Sequence, residues 1–130
     1  MVLYDSSVLI DYLAGGSTAV QYVEDHLDER AVVPPLVLFE VYQGEVFKSG
    51  TADFEAVDDA LAWVTVVETD REVALTAAVV QNELHNDGTA LAPRDAFIAG
   101  TAVALDETLA VSDDDFDVPA LADIVDIELL

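Results

Sequence analysis

A chain of 130 residues with 53% hydrophobic content is long enough for one substantial core and too apolar to be a disordered acidic tail. Its 27 Asp plus Glu against 4 Lys plus Arg give a formal net charge of −23, a self-repulsion that molar salt, with a Debye length of about 3 Å, largely screens; we read the balance as adaptation to a salty cytoplasm. Cysteine is absent, which excludes a disulfide framework and thiolate metal sites, and no apolar run approaches the roughly 18 residues of a membrane span. With nothing resembling a secretory leader either, the expectation is a soluble, cytoplasmic protein with no membrane partner.

In chain order, Val2 to Tyr4 predicts a strand, followed by a helix from about Ser7 to Leu13 that stops at Gly15-Gly16. Ser17 or Thr18 can cap a second helix through VQYVEDHLDER, where Val20, Val23 and Leu27 recur at helical spacing. Ala31 to Val33 predicts a short strand. Pro34-Pro35 then supplies an N-terminal proline for a third helix, LVLFEVYQGEVFK, ending near Gly50. An acidic helix, DFEAVDDALA, and a β-branched strand, WVTVVE, come next. A long helix from about Asp70 to Asn86 is closed by Gly88, and Pro93 precedes a sixth helix, RDAFIAGTAVAL. Thr108 to Val111 predicts a strand, DDDFD a loop or single turn, and DIVDIELL a closing strand.

Strands separated by helices of this length imply an α/β fold: a mainly parallel sheet of about four to five strands with helices on both faces. In such sheets the ligand crevice lies outside the carboxyl ends of the strands. Four acids in this sequence stand against apolar neighbours. Asp5 ends the first strand, Glu40 interrupts LVLFEVY, Asp95 opens the sixth helix ahead of AFIAG, and Asp113 leads the Asp113-Asp114-Asp115 run after LAV. A buried charge costs several kcal/mol unless something pairs with it, so an acid in an apolar setting carries more information than one of the many surface acids.

Each of the four also has a purely structural explanation. Asp5 can cap the helix that follows, Glu40 can belong to a polar stripe, Asp95 suits a helix N-terminus by the dipole alone, and the triplet can be a salt-adapted turn. Taken together they point elsewhere. Asp5 and Asp113 belong near strand ends, and Asp95 begins the helix leading into the Asp113 strand. Several carboxylates in one cleft repel unless a hard cation holds them, and an all-oxygen site suits Mg²⁺ or Mn²⁺. Spacing alone does not establish that they converge.

The whole chain resembles a PIN domain, and more closely the small single-domain VapC-type toxin ribonucleases of toxin–antitoxin pairs. The matching segments, in order, are YDSSVLIDYL, LVLFEVYQG with Glu40, PRDAFIAGTAVAL with Asp95, and LAVSDDDFD with Asp113. The resemblance implies a PIN-like fold over residues 1–130 as one domain, with Asp5, Glu40, Asp95 and Asp113 as a metal-binding catalytic quartet. Ser7 matches the small hydroxyl residue two places after the first Asp, positioning Asp5 or a metal-bound water. The last motif is the loosest: Asp115 is a fifth ligand or a substitute for Asp113, and Ser112 stands where the family has a hydroxyl residue. By the same resemblance one or two Mg²⁺ or Mn²⁺ ions activate water for attack on an RNA phosphodiester, and a small antitoxin inhibits by placing a basic side chain among the acids. Such toxins are commonly homodimers, for which the apolar helix around Leu36 to Phe47 offers a face.

His26 and His85 lack partners at metal-ligand spacing and read as structural, and Trp63, Phe54 and Phe97 read as packing residues. Arg94, one of four cationic side chains, either contacts a substrate phosphate or pairs with a surface acid. Two alternatives keep the fold: a PIN nuclease of RNA processing or quality control, and a non-catalytic PIN-like binding module, which the intact quartet disfavours. A haloacid dehalogenase-type phosphatase needs a second Asp two residues after the first, where this chain has Ser7.

Overall fold

The computed structural model describes residues 1–130. Five short strands, β1 (Val2–Tyr4), β2 (Ala31–Val33), β3 (Val64–Val66), β4 (Thr108–Val111) and β5 (Ile127–Leu129), form one sheet in the order β3-β2-β1-β4-β5. Every pairing is parallel, with Val2 opposite both Ala31 and Thr108. A three-residue strand has little intrinsic stability. Here burial fixes it: β1 and β2 are buried throughout, as are Leu109 to Val111 of β4, whereas the outermost β3 and β5 are half-buried or exposed. The sequence follows this placement, because VLY, AVV and LAV are uninterrupted apolar runs suited to a sheet covered on both faces.

Seven helices connect and cover the strands: α1 (Ser6–Leu13), α2 (Ser17–Asp25), α3 (Pro35–Phe47), α4 (Phe54–Ala60), α5 (Arg71–Asn86), α6 (Pro93–Leu105) and α7 (Pro119–Ala122). Pro35, Pro93 and Pro119 occupy first helical positions, where a missing N–H costs nothing. Gly88, at φ +76°, closes α5 with the Thr89 amide bonded back to Leu84 O at 2.8 Å. The chain moves outward from β1 to β2 and β3, then returns to place β4 on the other side of β1. The reversal between β1 and β4 is where a doubly wound sheet opens a crevice at its carboxyl end.

Two expectations about the second helix need correction. The second helix stops at Asp25, with Leu27 outside it and 65% exposed. Continuing it would set Glu24 against Asp28 and Asp25 against Glu29 at helical i,i+4 spacing, each pair unfavourable by roughly 0.2–0.5 kcal/mol. Its N-cap is Gly16, with no side-chain cap, rather than Ser17 or Thr18. Helix α7, a single turn of four residues, is too short for periodicity to reveal. Phe54 packs edge-on against Tyr42, at the surface rather than in the core, and is 45% exposed.

The core is aromatic on one side of β1. Tyr4 is 1% exposed and meets Trp63 and Tyr22 edge-to-face, with ring centroids 5.4 and 6.1 Å apart. His26 stacks on Tyr22 at 3.9 Å with its Nδ1 2.6 Å from Tyr22 O, a structural role as expected. Burial, reinforced by the Glu29 charge, pushes the Tyr4 phenol up from 10.0 to about 12, and burial raises Tyr22 as well. A raised phenol contributes stability that is complete below pH 10.0 and is lost as pH climbs through about 12, because the unfolded chain ionises first. Ultraviolet titration should therefore show the phenolates of Tyr4 and Tyr22 appearing together with unfolding. Ionisation of both near pH 10 with the fold intact would contradict this packing.

Candidate active site

The first acid is positioned by the strand it terminates. The Asp5 amide continues the β1–β4 ladder to Ala110 O at 2.9 Å, which fixes the residue at the carboxyl end of the sheet. Its side chain is split between two tasks. Oδ2 accepts from the Ser7 amide at 3.2 Å and the Ser7 hydroxyl at 2.6 Å, capping α1. Oδ1 faces away from the helix, 2.9 Å from Arg94 Nη2. One carboxylate, on a residue that is 1% exposed, thus both caps α1 and reaches Arg94.

Ser7, which bonds the Asp5 carboxylate, is itself held. Its Oγ accepts from the Ser112 amide at 3.0 Å, so one hydrogen-bonded chain runs from the end of β4 through Ser7 to Asp5. Ser112 contributes its backbone N–H to this chain of contacts. Glu40 projects from α3, and Asp95 from the first turn of α6, where it is 4% exposed. The two side chains and Asp5 converge on a single group, the Arg94 guanidinium.

Arg94 was expected to meet a phosphate or a surface acid; it meets the site acids themselves. Nη2 lies 2.7 Å from Glu40 Oε1 and 2.7 Å from Ser6 Oγ, besides Asp5, and Nε lies 2.5 Å from Glu40 Oε2. Nη1 donates to Asp95 Oδ1. Burial opposes the guanidinium charge, but hydrogen bonding to Glu40, the Asp5 charge and hydrogen bonds to Asp95 and Asp5 outweigh it and raise the Arg94 pKa. For Asp95 burial dominates and raises its pKa; pairing with Arg94 opposes this, and the charges of Asp5 and Asp113 add to it. The ionised form of Asp95 is therefore disfavoured on balance, despite its partner.

Asp113 lies close enough to Asp95 to repel it, and its Oδ1 accepts from the Asp115 amide at 2.9 Å, starting a single 3₁₀ turn over Asp114–Phe116. Asp115 is exposed and lines a cavity of about 470 Å³ together with Asp95 and the Thr89–Ala92 loop. Of the loose fourth motif, Asp115 thus shares a cavity with Asp95, while Asp113 acts on Asp95 by its charge. Ser6 was not singled out beforehand. Its signal is the doubled serine after Asp5, with Ser7 turned to the carboxylate and Ser6, 6% exposed, to the guanidinium.

The donor set is chemically suited to a hard divalent cation: carboxylate oxygens from the β1 exit, α3 and α6, with Asp113 and a hydroxyl nearby. The spacing is that of a site closed on arginine. No group of three or more acids or histidines stands at metal-holding separation.

No curated protein matches this chain by sequence. Among solved structures, VapBC2 from Rickettsia felis, bound to a DNA fragment from its promoter, superposes with a TM-score of 0.83 at 15% identity, covering 100% of this chain and 99% of that one. FitAcB from Neisseria gonorrhoeae gives 0.81 at 20% identity over 98% and 96% of the two chains. DNA-bound VapBC from Salmonella typhimurium gives 0.80 at 18% identity over 98% and 96%. At such identities the likeness is one of fold. The family model described as "PIN domain" matches residues 2–121, from the first strand into the last helix and across all four acidic motifs, and the chain belongs to the PIN domain family.

Proposed function

We propose that this chain is a metal-dependent endoribonuclease, the VapC-type toxin of a toxin–antitoxin pair. The observation that carries the reading is the convergence of Asp5, Glu40 and Asp95 on one cation, with Asp113 beside them, at the topological switch of a PIN fold. Asp5, Glu40, Asp95 and Asp113 would hold Mg²⁺ or Mn²⁺, with Asp115 available from the cavity side. A bound ion of this kind supplies Lewis-acid stabilisation of a phosphoryl oxygen and a more acidic water. The chain's own part is to orient and to exclude: Ser7 locks the Asp5 rotamer, the Ser112 amide ties Ser7 to the β4 end, and burial keeps Asp5 and Asp95 from water. That the similar structures from R. felis and S. typhimurium are VapBC complexes supports an antitoxin partner here.

An apolar surface suits that assembly. Phe39, Val46 and Phe47 of α3 are 58%, 56% and 78% exposed, and with Tyr42 and Phe54 they line a groove of about 520 Å³. Solvent-exposed aromatic surface of this extent marks a protein contact. It includes the helix face expected to serve a homodimer. The test is to express the chain alone and beside its genomic neighbour, purify both in molar KCl, and map RNA cleavage sites with Mg²⁺ or Mn²⁺. Cleavage by the chain alone, suppressed by the neighbour's product, supports the reading. No cleavage in any metal or salt condition overturns it, and cleavage indifferent to the neighbour favours RNA processing.

The charge balance makes the salt dependence unusual. Nucleic-acid binding normally weakens with salt because cationic side chains displace counterions from phosphates. This chain has four Lys plus Arg, of which Arg94 is committed to acids, so it has little such attraction to lose. Screening should instead relieve repulsion between RNA and a −23 surface, and within the surface itself. Cleavage rate and melting temperature are both expected to rise from low salt toward molar KCl. A maximum at low salt with decline above it would refute the salt-adaptation reading.

A further inference from the structure

Arg94 is drawn into the acidic cluster more completely than a residue waiting for substrate requires. Carboxylates from three separate elements close on its guanidinium, Asp5 at 2.9 Å and Glu40 Oε1 at 2.7 Å beside Asp95, and Ser6 adds a fourth partner at 2.7 Å. A guanidinium cannot shed its charge near neutral pH, so this cation is permanent. It also spaces the oxygens: nitrogen-to-oxygen separations near 2.7 Å hold the acids farther out than the roughly 2.0–2.1 Å that Mg²⁺ demands. A divalent ion would compete with the guanidinium for these oxygens, and the two cations would repel.

We propose that Arg94 is the resident counter-cation of the metal-free site, so that loading a divalent ion is an exchange in which the guanidinium leaves. This rests on the metal-dependent reading above. One positive charge facing Asp5, Glu40 and Asp95 leaves the cluster net negative, so a doubly charged ion is the better match once it arrives. The exit route is short, because the Arg94 side chain is already 30% exposed while Asp5 and Asp95 are at 1% and 6%. The metal-free protein is thereby spared the repulsion of an empty acidic site, and metal affinity is lowered by the fraction of molecules in which the site is open.

The test follows the guanidinium directly. Arg30, Arg71 and Arg94 are the arginines of the chain, so arginine-labelled protein gives few Nε–H signals, assignable by Arg94→Lys. In molar KCl without metal, the Arg94 Nε–H is expected to be protected from solvent exchange by Glu40. Titration with Mg²⁺ should shift that signal and remove its protection at the midpoint of the calorimetric binding curve. Arg94→Gln should bind Mg²⁺ about tenfold more tightly, as expected when an internal competitor is removed, and melt below wild type without metal. Arg71→Gln deletes the same charge outside the cluster and should change affinity by less than about twofold in screened solution. If Arg94→Gln does not fold without metal, the wild-type exchange measurement decides. An Nε–H that keeps its shift and protection while Mg²⁺ binds overturns the exchange, as does equal tightening in Arg71→Gln. Absence of Mg²⁺ binding in both wild type and Arg94→Gln overturns the metal reading, and this inference with it.

Discussion

Substituting Asp95 by Asn is expected to lower RNA cleavage more than ~100-fold, beyond the 10–100-fold typical of losing even an outer-shell metal partner, while the metal-free protein stays at least as stable as wild type. The stability half of this follows from the environment of Asp95. Burial is the main reason its ionised form is disfavoured; Asp5 and Asp113 add repulsion, and Arg94 compensates only in part. Asn carries no charge to desolvate, and its Oδ1 can still accept from Arg94 Nη1. Because the folded-state pKa of Asp95 is raised, its unfavourable contribution is present at neutral pH and disappears as pH falls through that raised value. Any stability advantage of the mutant should accordingly shrink on acidification. Added Mn²⁺ should raise the melting temperature of wild type by binding the folded state, and that of the mutant much less. An Asp95 that served only the helix dipole would instead lose about 0.3–1 kcal/mol on substitution, with metal response and cleavage intact. Melting curves with and without Mn²⁺, beside a cleavage assay, separate the outcomes. A mutant that keeps its Mn²⁺ shift and cuts RNA is not missing a ligand.

Gly100→Ala is expected to be the most damaging small substitution in the helical layer. A methyl group at Gly100 of α6 would sit 2.5 Å from Ala77 Cβ and 2.8 Å from the Ala77 amide nitrogen of α5. Neither atom is the tip of a flexible side chain, so the helices themselves must separate. Overpacking of this kind costs about 1–3 kcal/mol and sometimes more. Helix α6 also carries Arg94 and Asp95 on its first turn, so its displacement should weaken the Mn²⁺-induced rise in melting temperature as well. Gly44→Ala is the matched comparison. It lies in α3 with no atom within 4 Å of an added Cβ, and should stabilise by roughly 0.5–1 kcal/mol through helix propensity alone. Urea unfolding at fixed molar KCl measures both. Equal behaviour of the two variants would show that α5 and α6 are not packed this closely.

The residues legible from the sequence are those whose context is local. Apolar triplets between helical stretches marked β1, β2 and β4, prolines marked three helix starts, and Asp5 and Asp95 stood out because an acid in apolar surroundings has to be compensated. The Ser7 contact to Asp5 spans two residues, within one turn of chain, and the family resemblance implied a role for Ser7 there. Arg94 was seen only as a neighbour of Asp95, although its other carboxylate partners lie 54 and 89 positions away. Those contacts exist because β4 returns to the far side of β1, bringing the start of α6 over the end of the first strand. Ser112 acts through a backbone amide, which carries no residue-type signal, and reaches Ser7 across 105 positions. The need for a glycine at position 100 of α6 is visible only with Ala77 of α5 beside it. Periodicity and capping report on the few residues that share a turn of chain, whereas a site closed on one guanidinium depends on strand order, and strand order is settled only when the whole core is buried at once.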